Sequence, residues 1–512
     1  GQDVLGPIGL FITPISKQHS SFARSRIPAA IIDAARNGTL LFLLDGLDEL
    51  PKNQFDKAVN LIEAVLDQFP RTQIMTTASP YYLGGLVKLG FQPMGIASWN
   101  IQEIERFIDR WNNVWIDQIN NNMFAANSSD SIDPRLIKNW LTSQFTNMTP
   151  LQWTLKVWAA YSGDLNGPLP INAIDNYITR LSGKLISRGV LESLALEFVR
   201  ENTLSLSLTQ LENCINNYNP SAISEYNDEN KKIPVLPSRQ SGSADQQTIG
   251  SASSVAALIE SGLLIKQDSQ QVRFCNPLIN GFLASFAILE EQLDKIEQPL
   301  CWSVTTSMLR YMAAQDRGID WIEKNIINQS YAPLYQNIML VGKWISDCPV
   351  NLDWRTNFMR KVLSLIISES IPFAIKARLM AIFIGSNDPS VSKLLKQFFT
   401  TNSASLKSLA ALAAGATQDF KQQRELNGLL SDSSQDVKNA AVLAIGALSS
   451  PSNMEKLIDT LMEGDEQTRQ SAAETLAFLA PRGHDILKEA IVYEDLMVRK
   501  AAVFGLAQVR QK

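Results

Sequence analysis

The stretch "LLFLLDGLDELP", residues 40–51, decides how the first part of the chain is read. Five consecutive apolar residues, 40–44, are followed within five positions by three acids, Asp45, Asp48 and Glu49. A short continuous apolar run is typical of a central parallel strand that is covered on both faces. Ligands of open α/β sheets bind at the carboxyl ends of the strands. The stretch therefore predicts a buried strand that presents acids to a ligand.

The flanking segments predict further alternation of strands and helices. We expect a strand over 8–14, a helix over 27–35, the strand over 40–44, a helix over 54–69 and a strand over 73–77. This order is a βαβαβ unit with a parallel sheet. The expected fold class is thus an α/β portion followed by helical segments.

The three acids suggest a magnesium site. Mg²⁺ keeps most of its waters, so one or two carboxylates suffice to hold it, and Asp45 is at the strand end where it would be needed. Gly46 leaves room beside the strand, and Asp48 and Glu49 lie one short turn further on, able to orient a water or hold an arginine. In the alternative interpretation, Asp48 only caps the helix that follows, with no catalytic role.

Several of these segments resemble one family. "TLLFLLDGLDELP" (39–51) resembles the extended Walker B motif of NACHT domains, the NTPase module of STAND signalling ATPases. "LGPIGLFITPI" (5–15) resembles the strand that precedes this motif, and "MTTASPYYLGGL" (75–86) resembles the sensor strand, usually written TSRxxxY. The resemblance covers about residues 1 to 290, and the Walker B segment is its specific part.

Downstream segments extend the resemblance. "ASWNIQEIERFIDRWNNVW" (97–115) is similar to the first helix of the family's helical domain. In "MTPLQWTLKVWAAYSGDLNGPLP" (148–170), Pro150 matches the proline that touches adenine, and "VRFCNPLINGFLAS" (272–285) is similar to the winged-helix FxHP segment. The resemblance implies ATP or ADP and Mg²⁺ as ligands, with metal-binding Asp45, catalytic Asp48 and Glu49, and nucleotide-contacting Ser79, Pro150 and Asn276.

Three departures from the family pattern bear on activity. The 512 residues contain no phosphate-binding GxxxxGK[ST] motif, because the two Gly-Lys pairs have Ile178 and Asn337 where the first glycine is required. The motif is expected upstream of Gly1, so slow ATPase activity would depend on that upstream segment. The family arginine and histidine are replaced by Ser79 and Asn276, neither of which carries charge. These changes imply slow hydrolysis, or tight holding of nucleotide without turnover.

The composition argues against several classes of protein. The net charge is −5, and Lys266 and Arg273 are accompanied by Asp268 in the expected wing, which argues against nucleic-acid binding. Four cysteines without a CxxC pair, and only two histidines, argue against a metal finger, a disulfide framework or a Ser-His-Asp triad. No apolar run is long enough for a membrane helix. We expect a cytoplasmic protein.

The C-terminal part is repetitive. Aligned Ala-rich segments recur with gaps of 31, 31, 31 and 30 residues at Ile375, Leu406, Val437, Thr468 and Val498. The next residue is always basic, and these five residues are called the basic ladder: Lys376, Lys407, Lys438, Arg469 and Arg499. The repeat resembles short HEAT-like repeats and predicts an α-solenoid. The ladder is interpreted as ion pairing along the stack, with an anion-binding groove as the alternative.

The predicted organisation has four parts. They are the C-terminal part of a NACHT core (1–97), a helical domain (98–182), a winged-helix region with a mobile loop at 216–254 (183–292), and the solenoid (293–512). The main hypothesis is a nucleotide-dependent signalling or defence switch that forms homo-oligomers when the solenoid senses a protein or other ligand. The alternative is a non-enzymatic scaffold with a degenerate NTPase domain and a protein-binding solenoid.

Overall fold

The computed structural model describes residues 6–17, 19–78, 83–96, 99, 101–115, 117, 141, 148–163, 169–182, 186–218, 251–267, 270–296, 300, 302–329, 333–386, 388–448 and 450–510. The chain is mostly helical and divides into two compact units, the first formed by residues 1–138 and 148–322 and the second by residues 139–147 and 323–512. The predicted boundaries at 98, 183 and 293 all lie within the first unit and stay predictions. The predicted mobile loop lies largely outside the described residues.

The first unit opens with two helices, α1 and α2, and continues with a two-stranded parallel sheet. Its elements are α1 (Gly9–Lys17), α2 (Ser21–Asn37), β1 (Leu41–Leu44), α3 (Lys52–Gln68), β2 (Gln73–Thr76), α4 (Leu83–Lys88) and α5 (Ile101–Val114). In the sheet, Leu41 pairs with Gln73 and Leu44 with Thr76. The predicted strands over 40–44 and 73–77 and the helix over 54–69 are confirmed within two residues, and the helix predicted over 27–35 lies inside α2, which begins six residues earlier.

The strand predicted over 8–14 is wrong, because residues 9–14 belong to the helix α1 and Ile8 ends the 3₁₀ turn (Gly6–Ile8) that precedes it. Ile8 and Ile12 lie four residues apart, which places both on one face, where they are fully buried against the core that also contains Phe42 and Val65. The β-branched residues favoured a strand locally. Burial of this helical face against α2, α3 and the sheet outweighs that local preference.

The prediction that β1 is covered on both faces is also wrong for the described residues. Phe42 is 7% exposed, whereas Leu41 and Leu43, on the opposite face, are 53% and 70% exposed. Met75 on β2 continues this open face, with 54% exposure. The continuous apolar run therefore belongs to a sheet with one packed and one open face.

The rest of the first unit is helical with one small antiparallel sheet. Its elements are α6 (Pro150–Tyr161), α7 (Pro170–Ser182), α8 (Arg188–Arg200), β3 (Leu206–Ser207), α9 (Leu208–Asn216), α10 (Ser251–Glu260), β4 (Leu264–Lys266), β5 (Gln271–Phe274), α11 (Pro277–Ala287), α12 (Ser303–Ala314) and α13 (Ile319–Ile322). The strands lie in the order β3-β5-β4. The predicted two-stranded wing is confirmed as the hairpin of β4 and β5.

The second unit is a series of helices. After a π-helical turn (Glu323–Ile327), it contains α14 (Gln336–Trp344), α15 (Asp353–Ile367), α16 (Phe373–Gly385), α17 (Ser390–Phe399), α18 (Ala404–Ala416), α19 (Gln423–Leu429), α20 (Gln435–Leu448), α21 (Pro451–Glu463), α22 (Glu466–Phe478), α23 (Arg482–Ala490) and α24 (Leu496–Arg510). Each residue of the basic ladder lies on one of α16, α18, α20, α22 and α24, so the predicted register is confirmed.

Small residues set the spacing between these ladder helices. Successive ladder helices from α18 to α24 pack directly on one another. One repeat position, three residues after the ladder residue, holds a fully buried alanine in four helices: Ala410, Ala441, Ala472 and Ala502. A Cβ added to Gly415 would lie 2.7 Å from the Cα of Ala444, which is closer than packed atoms tolerate. The solenoid therefore requires small side chains along this seam.

This packing yields a prediction for one buried alanine. Ala441→Leu should destabilise the second unit by roughly 1 to 3 kcal/mol, because the larger side chain overpacks a closed seam. The matched control is Ala447→Leu, which makes the same change at an exposed position of α20. Hydrogen exchange of α18, α20 and α22 in the whole chain reports the loss locally. Equal effects of the two substitutions would contradict the assigned register.

Candidate functional site

The candidate site lies at the carboxyl end of the two-stranded parallel sheet. β1 ends at Leu44, and Gly46 then adopts φ +85°, a left-handed conformation that suits glycine. A single 3₁₀ turn, Leu47–Glu49, follows, and its amide at Glu49 donates to the carbonyl of Gly46. We call residues 45–49 the acidic turn. Its tight path brings the three predicted acids close to the ends of both strands.

Thr77 joins two of the acids. Its hydroxyl oxygen lies 3.1 Å from Asp45 Oδ1 and 2.9 Å from Asp48 Oδ1, and it accepts a hydrogen bond from the Gly46 amide at 2.9 Å. A hydroxyl has one proton, so it donates to one carboxylate at a time. Thr77 follows β2 directly, and its amide donates to the carbonyl of Leu44. The parallel pairing of the strands thus places this hydroxyl between the carboxylates.

The structure bears on the alternative role of Asp48 as a helix cap. The helix after the acidic turn, α3, begins at Lys52 with Pro51 in the cap position and no side-chain cap. Asp48 instead faces Thr77. The capping interpretation is therefore wrong, and Asp48 belongs with Asp45.

Glu49 points to a different neighbour. One of its carboxylate oxygens lies 2.7 Å from Nη1 of Arg273, a residue of the wing strand β5. The indole N–H of Trp302, just before α12, donates to the backbone carbonyl of Glu49 at 2.8 Å. Both the side chain and the main chain of Glu49 are thus held by residues from more than 200 positions away.

The remaining predicted nucleotide contacts are Ser79, Pro150 and Asn276. Ser79 lies outside the described residues. Pro150 is the exposed first residue of α6, which is capped by Thr149. Asn276 caps α11, since its side-chain oxygen accepts from the Leu278 amide at 2.8 Å. Roles for these three residues stay predictions.

One Gly-Lys pair is explained by packing. Gly342 lies within α14, and a Cβ there would meet Ile382 of α16 at 2.5 Å. This glycine therefore permits close helix contact, in agreement with its exclusion as part of a phosphate-binding loop.

The sequence reasoning missed Thr77, Arg273 and Trp302 as residues of the site. Thr77 had a usable signal, because the residues that follow two adjacent parallel strands meet at one sheet edge. Arg273 and Trp302 had none, since their contacts with Glu49 depend on how the wing and α12 pack on the acidic turn.

The arrangement of the acids bears on metal binding. Among the described residues, no three acidic, histidine or cysteine side chains converge on one point as a metal cage. Asp45 is exposed at the strand end, with Asp48 joined to it through Thr77. This arrangement fits a largely hydrated cation such as Mg²⁺, held by one or two carboxylates.

The basic ladder of the second unit forms ion pairs between repeats. Within the described part of the chain, three ladder residues each contact an aspartate of the following repeat: Lys407 with Asp432 at 2.7 Å, Lys438 with Asp465 at 2.7 Å, and Arg469 with Asp495 at 3.2 Å. Hydrogen bonds from Lys438 and from the Thr468 amide lower the pKa of Asp465 to about 2. These contacts favour the ion-pair interpretation over an anion-binding groove.

The comparisons with known proteins concern this repeat region. Residues 391–477 match the family model of HEAT repeats. The match spans α17 to α22 and agrees with the helix pairs and the 31-residue register. HEAT repeats stack into solenoids whose extended surfaces typically bind other proteins. The search of curated proteins found no match to the chain. The resemblance of residues 1 to 290 to NACHT domains therefore rests on the residues quoted for it.

Among the described helices, none is both long enough and apolar enough to cross a bilayer.

The bridging hydroxyl yields a prediction for the acidic turn. Thr77→Val removes the group that accepts from Gly46 and donates to Asp45 or Asp48, so the amides of residues 46–49 should exchange faster. An exposed hydrogen bond of this kind contributes about 1 kcal/mol or less, which corresponds to a change of up to roughly fivefold. Thr77→Ser retains the hydroxyl and is the matched control. The same exchange rates in both variants would show that the hydroxyl does not order the turn.

The ion pair of Asp465 in the basic ladder predicts how the unfolding free energy depends on pH. The folded-state pKa of Asp465, about 2, is below its usual value of 3.8, so the stabilisation is present above about pH 4 and is lost as the pH falls towards 2. Asp465→Asn keeps a good cap for α22 but removes the charge. The difference in unfolding free energy should be at most about 1 kcal/mol at pH 7, because the pair is partly exposed, and should shrink towards pH 2. A difference that grows on acidification would contradict this assignment.

Proposed function

We propose that the first unit is the nucleotide-responsive part of a NACHT-type signalling switch and that the solenoid is its sensor for a protein partner. The observation that carries this proposal is the meeting of Asp45 and Asp48 on Thr77, at the carboxyl end of two parallel strands. This is the edge at which open α/β proteins bind their ligands. The resemblance of residues 39–51 to an extended Walker B motif supports the same assignment.

The residues of the acidic turn have separate roles in the proposal. Asp45 would hold Mg²⁺ through its exposed carboxylate, and Asp48 and Glu49 would orient a water. Bound Mg²⁺ would neutralise the charge of the nucleotide phosphates. Thr77 positions the two aspartates through its hydroxyl. Pro150 touches the adenine of ATP or ADP, while Ser79 and Asn276 replace the charged residues that read the phosphates in the family.

The phosphates themselves lack a cradle in this sequence. No GxxxxGK[ST] motif occurs in the 512 residues, and the two Gly-Lys pairs do not provide one. Tight binding and slow hydrolysis of ATP therefore require a phosphate-binding loop outside these residues. The proposal assigns to the present chain the metal-binding and switch-coupling parts of the site.

The solenoid supplies the interaction surface. Its HEAT repeats are joined by ion pairs between repeats and by close packing of small residues, so that a partner meets an ordered stack of helices. In the proposal, binding of a protein or other ligand there favours an oligomerising state of the chain in the cytoplasm, with signalling or defence as the output.

A second candidate function, a non-enzymatic scaffold, is favoured by one observation. Asn276, which replaces the phosphate-contacting histidine, uses its side-chain oxygen to cap α11. A side chain whose oxygen already accepts the capping hydrogen bond has one fewer group with which to bind a nucleotide phosphate. In this alternative the first unit is structural, and only the solenoid binds a partner.

Metal binding separates the two candidates. Asp45→Asn should weaken binding of Mn²⁺, used as a spectroscopic substitute for Mg²⁺, by at least tenfold, because it removes the charged ligand at the strand end. Free Mn²⁺ is measured by electron paramagnetic resonance in the presence and absence of ATP. Asp33→Asn, at an exposed acid on α2, is the matched control and should leave the affinity unchanged. Equal Mn²⁺ affinity in wild type and Asp45→Asn would favour the scaffold.

A further inference from the structure

The acidic turn is attached to the wing hairpin through Glu49. The carboxylate of Glu49 forms its 2.7 Å ion pair with Arg273 of β5, and both side chains are about one-third exposed or less. The backbone carbonyl of Glu49 accepts from Trp302, whose ring is 2% exposed. The buried indole provides a fixed anchor, whereas the ion pair lies where solvent and ions can reach it.

The atom that pairs with Arg273 lies close to Gly46, the residue that follows the proposed metal ligand Asp45. Oε2 of Glu49 is only 3.8 Å from the point where a Cβ on Gly46 would lie. Gly46 follows Asp45 directly, and its amide is 3.0 Å from Asp45 Oδ1. The Glu49 carboxylate is therefore folded back over the acidic turn. The guanidinium of Arg273, which pairs with this carboxylate, lies at the edge of the turn.

Arg273 and a divalent cation at Asp45 would both be attracted by the negative charge of the acidic turn, Arg273 mainly through Glu49 and the cation mainly through Asp45. A fixed positive charge near a cation site raises the electrostatic cost of binding there, and solvent exposure reduces this cost without removing it. Coupling between two binding events is reciprocal. A cation that is disfavoured by the Arg273–Glu49 pair must therefore weaken that pair when it binds.

We propose that the Arg273–Glu49 ion pair is a charge-sensitive latch between the wing and the acidic turn, released by a divalent cation at Asp45. The cation part rests on the proposed function, whereas the contact itself does not. With the latch closed, Arg273 holds Glu49 away from the role of orienting a water. With the latch open, Glu49 is available to the metal site, and the turn keeps its hydrogen bond to Trp302 before α12.

The latch is tested first without any metal. Hydrogen exchange of residues 46–50 is measured for wild type, Arg273→Glu, Glu49→Arg and the charge-swapped double variant Glu49→Arg/Arg273→Glu. Each single change should raise exchange about three- to tenfold, and the swap should restore most of the protection, since only a direct pair is rescued by reversal. Lys266→Glu, on the neighbouring strand β4, controls for net charge and should have no effect. Absence of rescue by the double variant would overturn the latch.

The release is tested with Mn²⁺ as the probe in the same chain. Arg273→Gln should tighten Mn²⁺ binding roughly three- to tenfold at low ionic strength, with a smaller effect at high salt, and Lys266→Gln should not. Mn²⁺ should raise exchange at residues 271–274 in wild type and not in Asp45→Asn. Mn²⁺ binding that is indifferent to Arg273→Gln would overturn the release. If no Mn²⁺ binds, the proposed metal site and the cation release both fail, and the charge-swap experiment decides the contact alone.

Discussion

The contacts of Glu49 join parts of the chain that are far apart in sequence. Its carboxylate meets Arg273 of the wing hairpin, and its carbonyl meets Trp302 at the start of α12, over separations of 224 and 253 residues. The hydrogen bonds of Asp45, Gly46 and Asp48 with Thr77 lie within the short segment from β1 to Thr77. Without these two contacts, the acidic turn would be a local feature of a small sheet. With them, the turn is joined to the wing through Arg273 and to the start of α12 through Trp302.

The contacts at Glu49 differ in what would break them. The indole of Trp302 is buried, and its hydrogen bond to a backbone carbonyl does not depend on ionisation or salt. The ion pair with Arg273 is accessible to solvent and therefore responds to nearby charge and to ionic strength. A buried anchor beside an exposed ion pair permits a change of side-chain partner while the backbone remains attached. This combination suits regulation better than it suits stability, since exposed ion pairs contribute little to stability.

The second unit depends on a different constraint, the closeness of its helices. Buried alanines at one repeat position, together with Gly415, allow successive ladder helices to approach until a single added carbon would collide. The ladder cations lie three residues before these alanines in the sequence, and Lys407, Lys438 and Arg469 pair with aspartates of the next repeat. Packing therefore sets the distance between neighbouring helices. The ion pairs help to fix the register of one repeat on the next, and they weaken in acid. The resulting ordered surface is what a protein partner would meet.

The sequence by itself determined the features that depend on local pattern. The apolar run before Asp45 marked β1, the following helix and β2 were found within a few residues, and the 31-residue period located the solenoid helices, because periodicity reports which face is buried. Only the tertiary structure decided that 8–14 is a helix, that β1 has one open face in the described residues, and that Asp48 faces Thr77 and not the start of α3. It alone brought Arg273 and Trp302 to Glu49. The physical reason is common to all of these: each outcome depends on contacts between segments distant in sequence, and such contacts leave no periodic signal in the residues that make them.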